Sequence, residues 1–245
     1  MPSLKIQNLK TAFVALLALS LIACASSGGS HSSLGQNPKD PFEGFNRAMY
    51  SFNSGVDTVL TKPLAKAYDA ITPNPVQNCI SNVFDNLRTP ISALNNLLQG
   101  KVQDACSETA RFLINTTVGL AGCFDVAKMA GLERKPEDFG QTLGVWGVPS
   151  GPYLVLPLLG SSNVRDALSL VSPTDKRLVI RGVDHIPTRN SALGLELVDT
   201  RTKLLGASAA LEKMDVDQYS FVRDASIARR RNQVYDGDPP DEDEK

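Results

Sequence analysis

Few side chains in this sequence could carry covalent chemistry. There are two histidines. His31 lies among serines and glycines, so His185 alone serves the folded part, and a histidine metal cluster is excluded. A Ser-His-Asp arrangement would have to recruit His185. The serine that first suggests itself is Ser150, in Gly147-Val148-Pro149-Ser150-Gly151. A nucleophile elbow needs serine at the third of five positions, where proline stands here. Ser150 therefore reads as a turn residue. Asp125, Asp138 and Asp166 could exchange protons, yet each adjoins an expected helix end, where capping is the commoner task. No phosphate-cradling glycine loop precedes a helix. Arg229-Arg230-Arg231 falls late in an expected helix. Positive charge suits the dipole there and stays solvated, a more economical reading than contact with anionic lipid.

Cys24 is the clearest chemical signal. Lys5 and Lys10 lead into TAFVALLALSLIA, an apolar run that ends in Leu21-Ile22-Ala23-Cys24. The run is too short for a stable membrane span and has the form of a signal peptide. A small residue followed by cysteine resembles a bacterial lipobox. Residues 1–23 are thus expected to be removed, leaving Cys24 with an S-diacylglycerol and an N-acyl group. No other cofactor and no metal is expected. Two or more acyl chains hold a protein stably on a membrane. Ala25, where aspartate would resemble an inner-membrane retention signal, favours the outer membrane. Residues 24–39 then form a flexible tether rich in serine and glycine.

Composition narrows the rest. A net charge of −1 and 6% aromatic residues give no case for nucleic-acid binding. Residues 40–235 suffice for one helical domain, and DGDPPDEDEK (236–245) reads as a disordered acidic tail. Cys79, Cys106 and Cys123 remain. In an oxidising compartment two of them could pair, leaving one thiol; equally, all three could be small buried residues.

The elements that must position any site are mostly helical. Asp40-Pro41-Phe42-Glu43 reads as a helix start, with Asp40 as the cap and Glu43 reaching back. Phe42, Phe45, Met49, Phe52, Val56 and Val59 follow at steps of three or four, an apolar face that the pattern alone assigns to a core. Pro63 is expected to interrupt, before a short helix over 64–71. Val76, Ile80, Val83, Phe84 and Leu87 mark the next helix. Thr89-Pro90 is expected to open another, with Ile91, Leu94, Leu97 and Leu98 inward. Further helices are expected over 103–117, 125–129, 137–144, 191–213 (capped by Asn190) and from Asp215 or Asp217 toward Val234.

Residues 139–164 carry no charge, yet hold five glycines and three prolines. So many breaks exclude a spanning helix. Tyr153 to Leu156 is the one plausible strand.

Four blocks then carry a resemblance: DPFEGFNRAMYSFN (40–53), RFLINTTVGLAGCFDVA (111–127), EDFGQTLGVWGVPSGPYLVLPLLGSSNVRD (137–166) and VDTRTKLL (198–205), with a weaker DQYSFVRDA (217–225). They resemble the VacJ/MlaA outer-membrane lipoproteins, in family order over nearly all of the mature chain. The resemblance implies a flat helical ring around a small amphipathic channel, with at most a short hairpin. It implies no covalent chemistry. Its implied partners are phospholipid, a trimeric outer-membrane porin and a soluble periplasmic lipid carrier. Its implied role is removal of stray phospholipid from the outer leaflet, from an anchor on the periplasmic face. A structural lipoprotein that binds a porin without moving lipid is the alternative, and a hydrolase using Ser150 and His185 a third reading.

The family likeness turns Phe42, Phe45, Met49 and Phe52 into a membrane-facing rim, reversing the core reading. It makes Gly144, Gly147, Val148, Gly151, Pro152 and Tyr153 the ridge beside the channel. Pro149 departs from the more glycine-rich family turn and stiffens it. Residues 169–191 match poorly, and the three cysteines fall outside the family pattern.

Overall fold

A computed structural model of the chain describes residues 37–170 and 184–240. The expectations for the signal peptide, Cys24, most of the tether and the last residues of the tail lie outside them. The chain forms two compact units that divide at Pro41, and the helices and strands of the described residues all belong to the second, Phe42–Lys245.

Helix α1 (Glu43–Val56) begins with Phe42 in the cap position and no capping side chain. This corrects the expected cap at Asp40. Glu43 reaches forward to Arg47 Nε at 2.7 Å, and that ion pair takes the carboxylate that would have reached back. Pro63 does not interrupt. A π-helical stretch, Asp57–Thr61, joins α1 directly to α2 (Lys62–Ile71). Proline cannot donate to the carbonyl four residues back, and the wider π turn absorbs the missing bond. Likewise Pro90 lies inside one helix, α3 (Asn74–Leu98), and opens no new one. Beside the gap, Thr89 Oγ1 donates to Asp85 O at 3.1 Å.

Helix α4 (Val102–Thr117) packs on α3, and a disulfide between Cys79 and Cys123 ties α3 to the turn that follows α4. Cys106 is free and exposed. Short helices α5 (Val126–Met129) and α6 (Phe139–Val145) follow, then strands β1 (Tyr153–Leu156) and β2 (Gly160–Asn163). The strands form an antiparallel hairpin with Tyr153 opposite Asn163 and Leu156 opposite Gly160. Helix α7 (Val164–Ser169) closes this stretch.

The helix expected over 191–213 is two. Helix α8 (Ile186–Lys203) starts earlier than expected, because His185 Nδ1 accepts from Thr188 N and Pro187 occupies the first turn. Asn190 is inside the helix and caps nothing. The chain tightens at Leu204, whose N–H bonds Arg201 O three residues back, before α9 (Leu205–Glu212). Helix α10 (Gln218–Val234) is last.

Burial is inverted. Helix α3 buries Ser81, Asn86, Thr89, Ser92, Asn95 and Asn96, while Leu94, Leu97 and Leu98 are 39%, 55% and 36% exposed. The expected inward leucines thus face out. The reason lies in what the inward groups bond. Asn96 Nδ2 donates to Lys135 O at 3.0 Å, and Thr142 Oγ1 donates to Asn95 Oδ1 at 2.9 Å. The buried carboxylate of Asp199 accepts from Ser81 Oγ at 2.8 Å and Tyr68 OH at 3.4 Å, and pairs with Lys203 at 3.1 Å. Asp57, in the π stretch, takes Arg201 Nε at 2.7 Å and Nη2 at 2.8 Å. This guanidinium holds the Asp57 carboxyl below its ordinary value. Polar groups buried this way are tolerable because most find a partner; the Asn86 and Asn96 side-chain oxygens are exceptions. Among the described residues the apolar core is correspondingly small: a cluster of Tyr153, Val155 and Tyr219, with Met49, Tyr50 and Ile227 against it, besides buried Phe84 on α3 and Ala65, Ala105 and Ala127 elsewhere.

Among the described residues, no helix is long and apolar enough to cross a membrane.

Candidate functional site

The uncharged segment is built from its ends inward. Asp138 caps α6 by accepting from Gln141 N at 3.0 Å. Asn163 caps α7 by accepting from Asp166 N at 2.9 Å. Asp125 caps α5, accepting from Lys128 N at 3.2 Å, so both Asp125 and Asp138 hold the capping role their positions suggest. Asp125 also binds Arg111 Nη2 through both oxygens at 2.9 Å and Asn115 Nδ2 at 2.9 Å.

Helix α6 ends in a Schellman turn. Val148 N bonds Leu143 O at 2.9 Å and Gly147 N bonds Gly144 O at 3.0 Å. This closure needs a left-handed residue, and Gly147 supplies it at φ +89°. Gly144 has another duty: a Cβ there would come within 3.0 Å of Arg165 Nη1 and Val234. The guanidinium of Arg165, on a buried residue, lies beneath the turn, with Nη1 3.4 Å from the Val148 carbonyl. Its backbone N–H bonds Ser150 O at 3.2 Å. Trp146 leans edge-on against Phe139 and donates its indole N–H to Leu98 O at 3.0 Å. Residues 145–151 are all exposed.

The ridge candidates thus divide. Gly144, Gly147, Val148 and Gly151 stand at or beside an exposed, neutral turn. Pro152 is half-buried, and Tyr153 is buried against Val155 and Tyr219 with its hydroxyl 2.8 Å from Ser161 Oγ. Of the rim candidates, Phe42 and Phe52 are each 50% exposed and Phe45 is 36% exposed. Met49 is half-buried against the Tyr153 cluster. Ser150 lies in the turn and His185 is engaged with Thr188, its Nδ1 2.7 Å from the hydroxyl.

Sequence reasoning missed the hairpin's support. Asn46 is fully buried on α1; its Nδ2 donates to Tyr153 O at 3.0 Å and its Oδ1 accepts from Val155 N at 2.8 Å. Seven residues on, Asn53 repeats the pattern with Leu156 O at 2.9 Å and Leu158 N at 2.7 Å. Two helical turns rise about 10.5 Å, close to three strand residues, so one helix face can serve as a pairing strand. Asparagines spaced by seven on one face of the helix, beside Phe42, Phe45, Met49 and Phe52, were the available signal. A buried carboxylate was also missed. Glu137 accepts from Gln99 at 2.8 Å and pairs with Lys101 at 3.1 Å, and burial pushes its pKa up.

Fold and site together define a class: a mainly helical protein with polar side chains turned inward, apolar side chains turned outward, and a neutral glycine turn buttressed by a buried arginine. The model of the MlaA lipoprotein family matches residues 38–233, and the chain belongs to that family. It is 37% identical over 226 residues to the intermembrane phospholipid transport system lipoprotein MlaA of Escherichia coli, covering 91% of this chain and 87% of that one. The protein of the same name from Haemophilus influenzae is 32% identical over 232 residues, covering 93% and 92%. A solved structure described as the structural basis for maintenance of bacterial outer membrane lipid asymmetry superposes with a TM-score of 0.69 at 34% identity, over 80% of this chain and 98% of the other.

Proposed function

We propose that the chain is the outer-membrane lipoprotein of a phospholipid transport system. It removes phospholipid that has strayed into the outer leaflet, and so maintains lipid asymmetry. The observation that carries this reading is the inverted burial. An apolar exterior and a hydrogen-bonded polar interior suit a helical body that sits at the depth of one leaflet around a headgroup path. Phe42, Phe45 and Phe52 lie on the membrane-facing side in this account, with Met49 turned beneath them against the Tyr153 cluster, and Gly144, Gly147, Val148, Gly151, Pro152 and Tyr153 line or support the path. The turn at 145–151 offers backbone groups and no charge, so a zwitterionic or anionic headgroup passes without being trapped. No covalent step is involved. The acyl chains on Cys24 hold the protein on the periplasmic face, a trimeric porin holds it in place, and a soluble periplasmic carrier receives each lipid.

The test is deletion of the gene, with outer-leaflet phospholipid read by lipid A palmitoylation and detergent sensitivity. Deletion raises both, the wild-type gene restores them, and Cys24→Ala does not. An unchanged leaflet in the deletion, with the wild-type protein co-purifying with a porin, would leave only the structural role.

A further inference from the structure

We propose that Arg230, on the last helix, is the positioning residue that closes the uncharged segment into one loop. The two carboxylates flanking that segment are Asp138 at its start and Asp166 just past its end. Arg230 takes both. Its Nη1 and Nη2 donate to the two Asp138 oxygens at 2.9 and 2.6 Å. Its Nη2 also donates to Asp166 Oδ1 at 3.0 Å, and its Nε lies 2.6 Å from Asp166 Oδ2. This corrects the solvated reading of the Arg229-Arg230-Arg231 run: the middle arginine keeps only 15% of its side chain exposed.

Each carboxylate is fixed to a chain end before Arg230 reaches it. Asp138 Oδ1 caps α6, and Asp166 Oδ2 accepts from Asn163 Nδ2 at 2.8 Å where α7 begins. The second arginine, Arg165, pairs with Asp166 at 3.1 Å and reaches under the turn to Val148 O. Two arginines and two aspartates therefore form a neutral cluster that runs from α10, through both ends of the loop, to the turn. Gly140 makes the approach feasible: a Cβ there would come within 3.0 Å of both Arg230 Nη2 and Asp166 Oδ1. The planar guanidinium can bond two carboxylates at once, which a lysine ammonium does far less well. The consequence is mechanical. The ends of the loop move with α10, and the turn over Arg165 is held in one register. That this register presents the turn to a lipid headgroup rests on the transport reading above.

The experiment is hydrogen exchange by mass spectrometry on the full-length lipidated chain in detergent, with fluorescence from the single tryptophan, Trp146, as the local probe. In the wild type, residues 139–164 and the end of α10 exchange as one opening unit. Arg230→Lys speeds exchange of 144–151 by about tenfold and raises acrylamide quenching of Trp146, while α3 and α4 keep their protection. Should an unpaired carboxylate unfold a weakened variant, the charge-balanced pair Arg230→Met with Asp138→Asn, which keeps the Arg165–Asp166 ion pair, refolds it and shows the same local loss. Independent exchange of the loop and α10 in the wild type overturns the proposal. So does an Arg230→Lys variant with unchanged turn exchange and quenching, or one loosened uniformly. The leaflet assay separates this from the transport reading: a wild-type gene that fails to restore asymmetry sinks that reading and leaves the exchange result standing.

Discussion

Replacing Asn46 with alanine tests the most local claim about how the hairpin is held. The side chain is fully buried and satisfies the Val155 N–H and the Tyr153 C=O on the open edge of β1. Val155 is 1% exposed, so water cannot take over. Each buried backbone group left unpaired costs about 1–3 kcal/mol, so the substitution costs about 3 kcal/mol. For a domain of this size that lowers Tm by about 6–12 °C. Asn53→Ala provides the internal comparison. It makes the same two bonds, but Leu158 is 64% exposed and solvent can replace part of what is lost. The expected cost there is about 1 kcal/mol. Thermal unfolding of the purified protein in detergent, followed by near-ultraviolet circular dichroism, measures both. Equal shifts for the two variants, or an Asn46→Ala shift under about 2 °C, would refute the view that a helix face substitutes for a strand here.

Other consequences are as direct. The Cys79–Cys123 disulfide closes a loop of 44 residues, which in the chain-entropy account corresponds to about 4 kcal/mol; reduction should lower Tm, and an unchanged melt would show the bond contributes nothing. Gly140→Ala should destabilise the fold and loosen the Arg230 contacts, seen as a lower Tm with faster exchange at Asp138 and Asp166; a silent substitution contradicts the close approach. Burial raises the Glu137 carboxyl above its ordinary 4.5, so its contribution is fully present below 4.5 and lost as pH rises through the folded value. Glu137→Gln should therefore gain stability relative to wild type as pH rises above 4.5, and parallel Tm–pH curves would count against it. Asp57 has the opposite sign: Arg201 depresses its pKa, so its contribution is present above 3.8 and lost as pH falls through the folded value. Arg201→Met should flatten that acid limb, which an unchanged slope would deny.

Local chemistry was the legible part of the fold. Asp125 and Asp138 stand before short helices and cap them, the strand at Tyr153–Leu156 lies where the short apolar run between breakers places it, and α4 is offset by one residue. Prolines misled where the chain had a compensating device. A π stretch absorbs Pro63 and a threonine side chain bonds beside the gap at Pro90, neither of which a breaker rule anticipates. Leu94, Leu97 and Leu98 were placed inward because apolar residues usually are. The contrary signal was the polar stripe through Ser81, Asp85, Thr89, Ser92 and Asn96, spaced by three or four along α3. Arg230 was illegible for a different reason. Its partners lie 92 and 64 residues away, and nothing in a run of three arginines says which one turns inward.

The central claim is that a phospholipid headgroup passes the neutral turn over Arg165. It is tested most directly by placing a photocrosslinking amino acid at Val148 and irradiating living cells. The account predicts a protein–phospholipid adduct at the Val148 probe joined through the headgroup or glycerol and, in a separate Val148→Asp chain, loss of leaflet asymmetry. A Val148 probe that captures no phospholipid while one at Phe52 captures acyl chains, or a Val148→Asp chain that still keeps the outer leaflet clear, would contradict it.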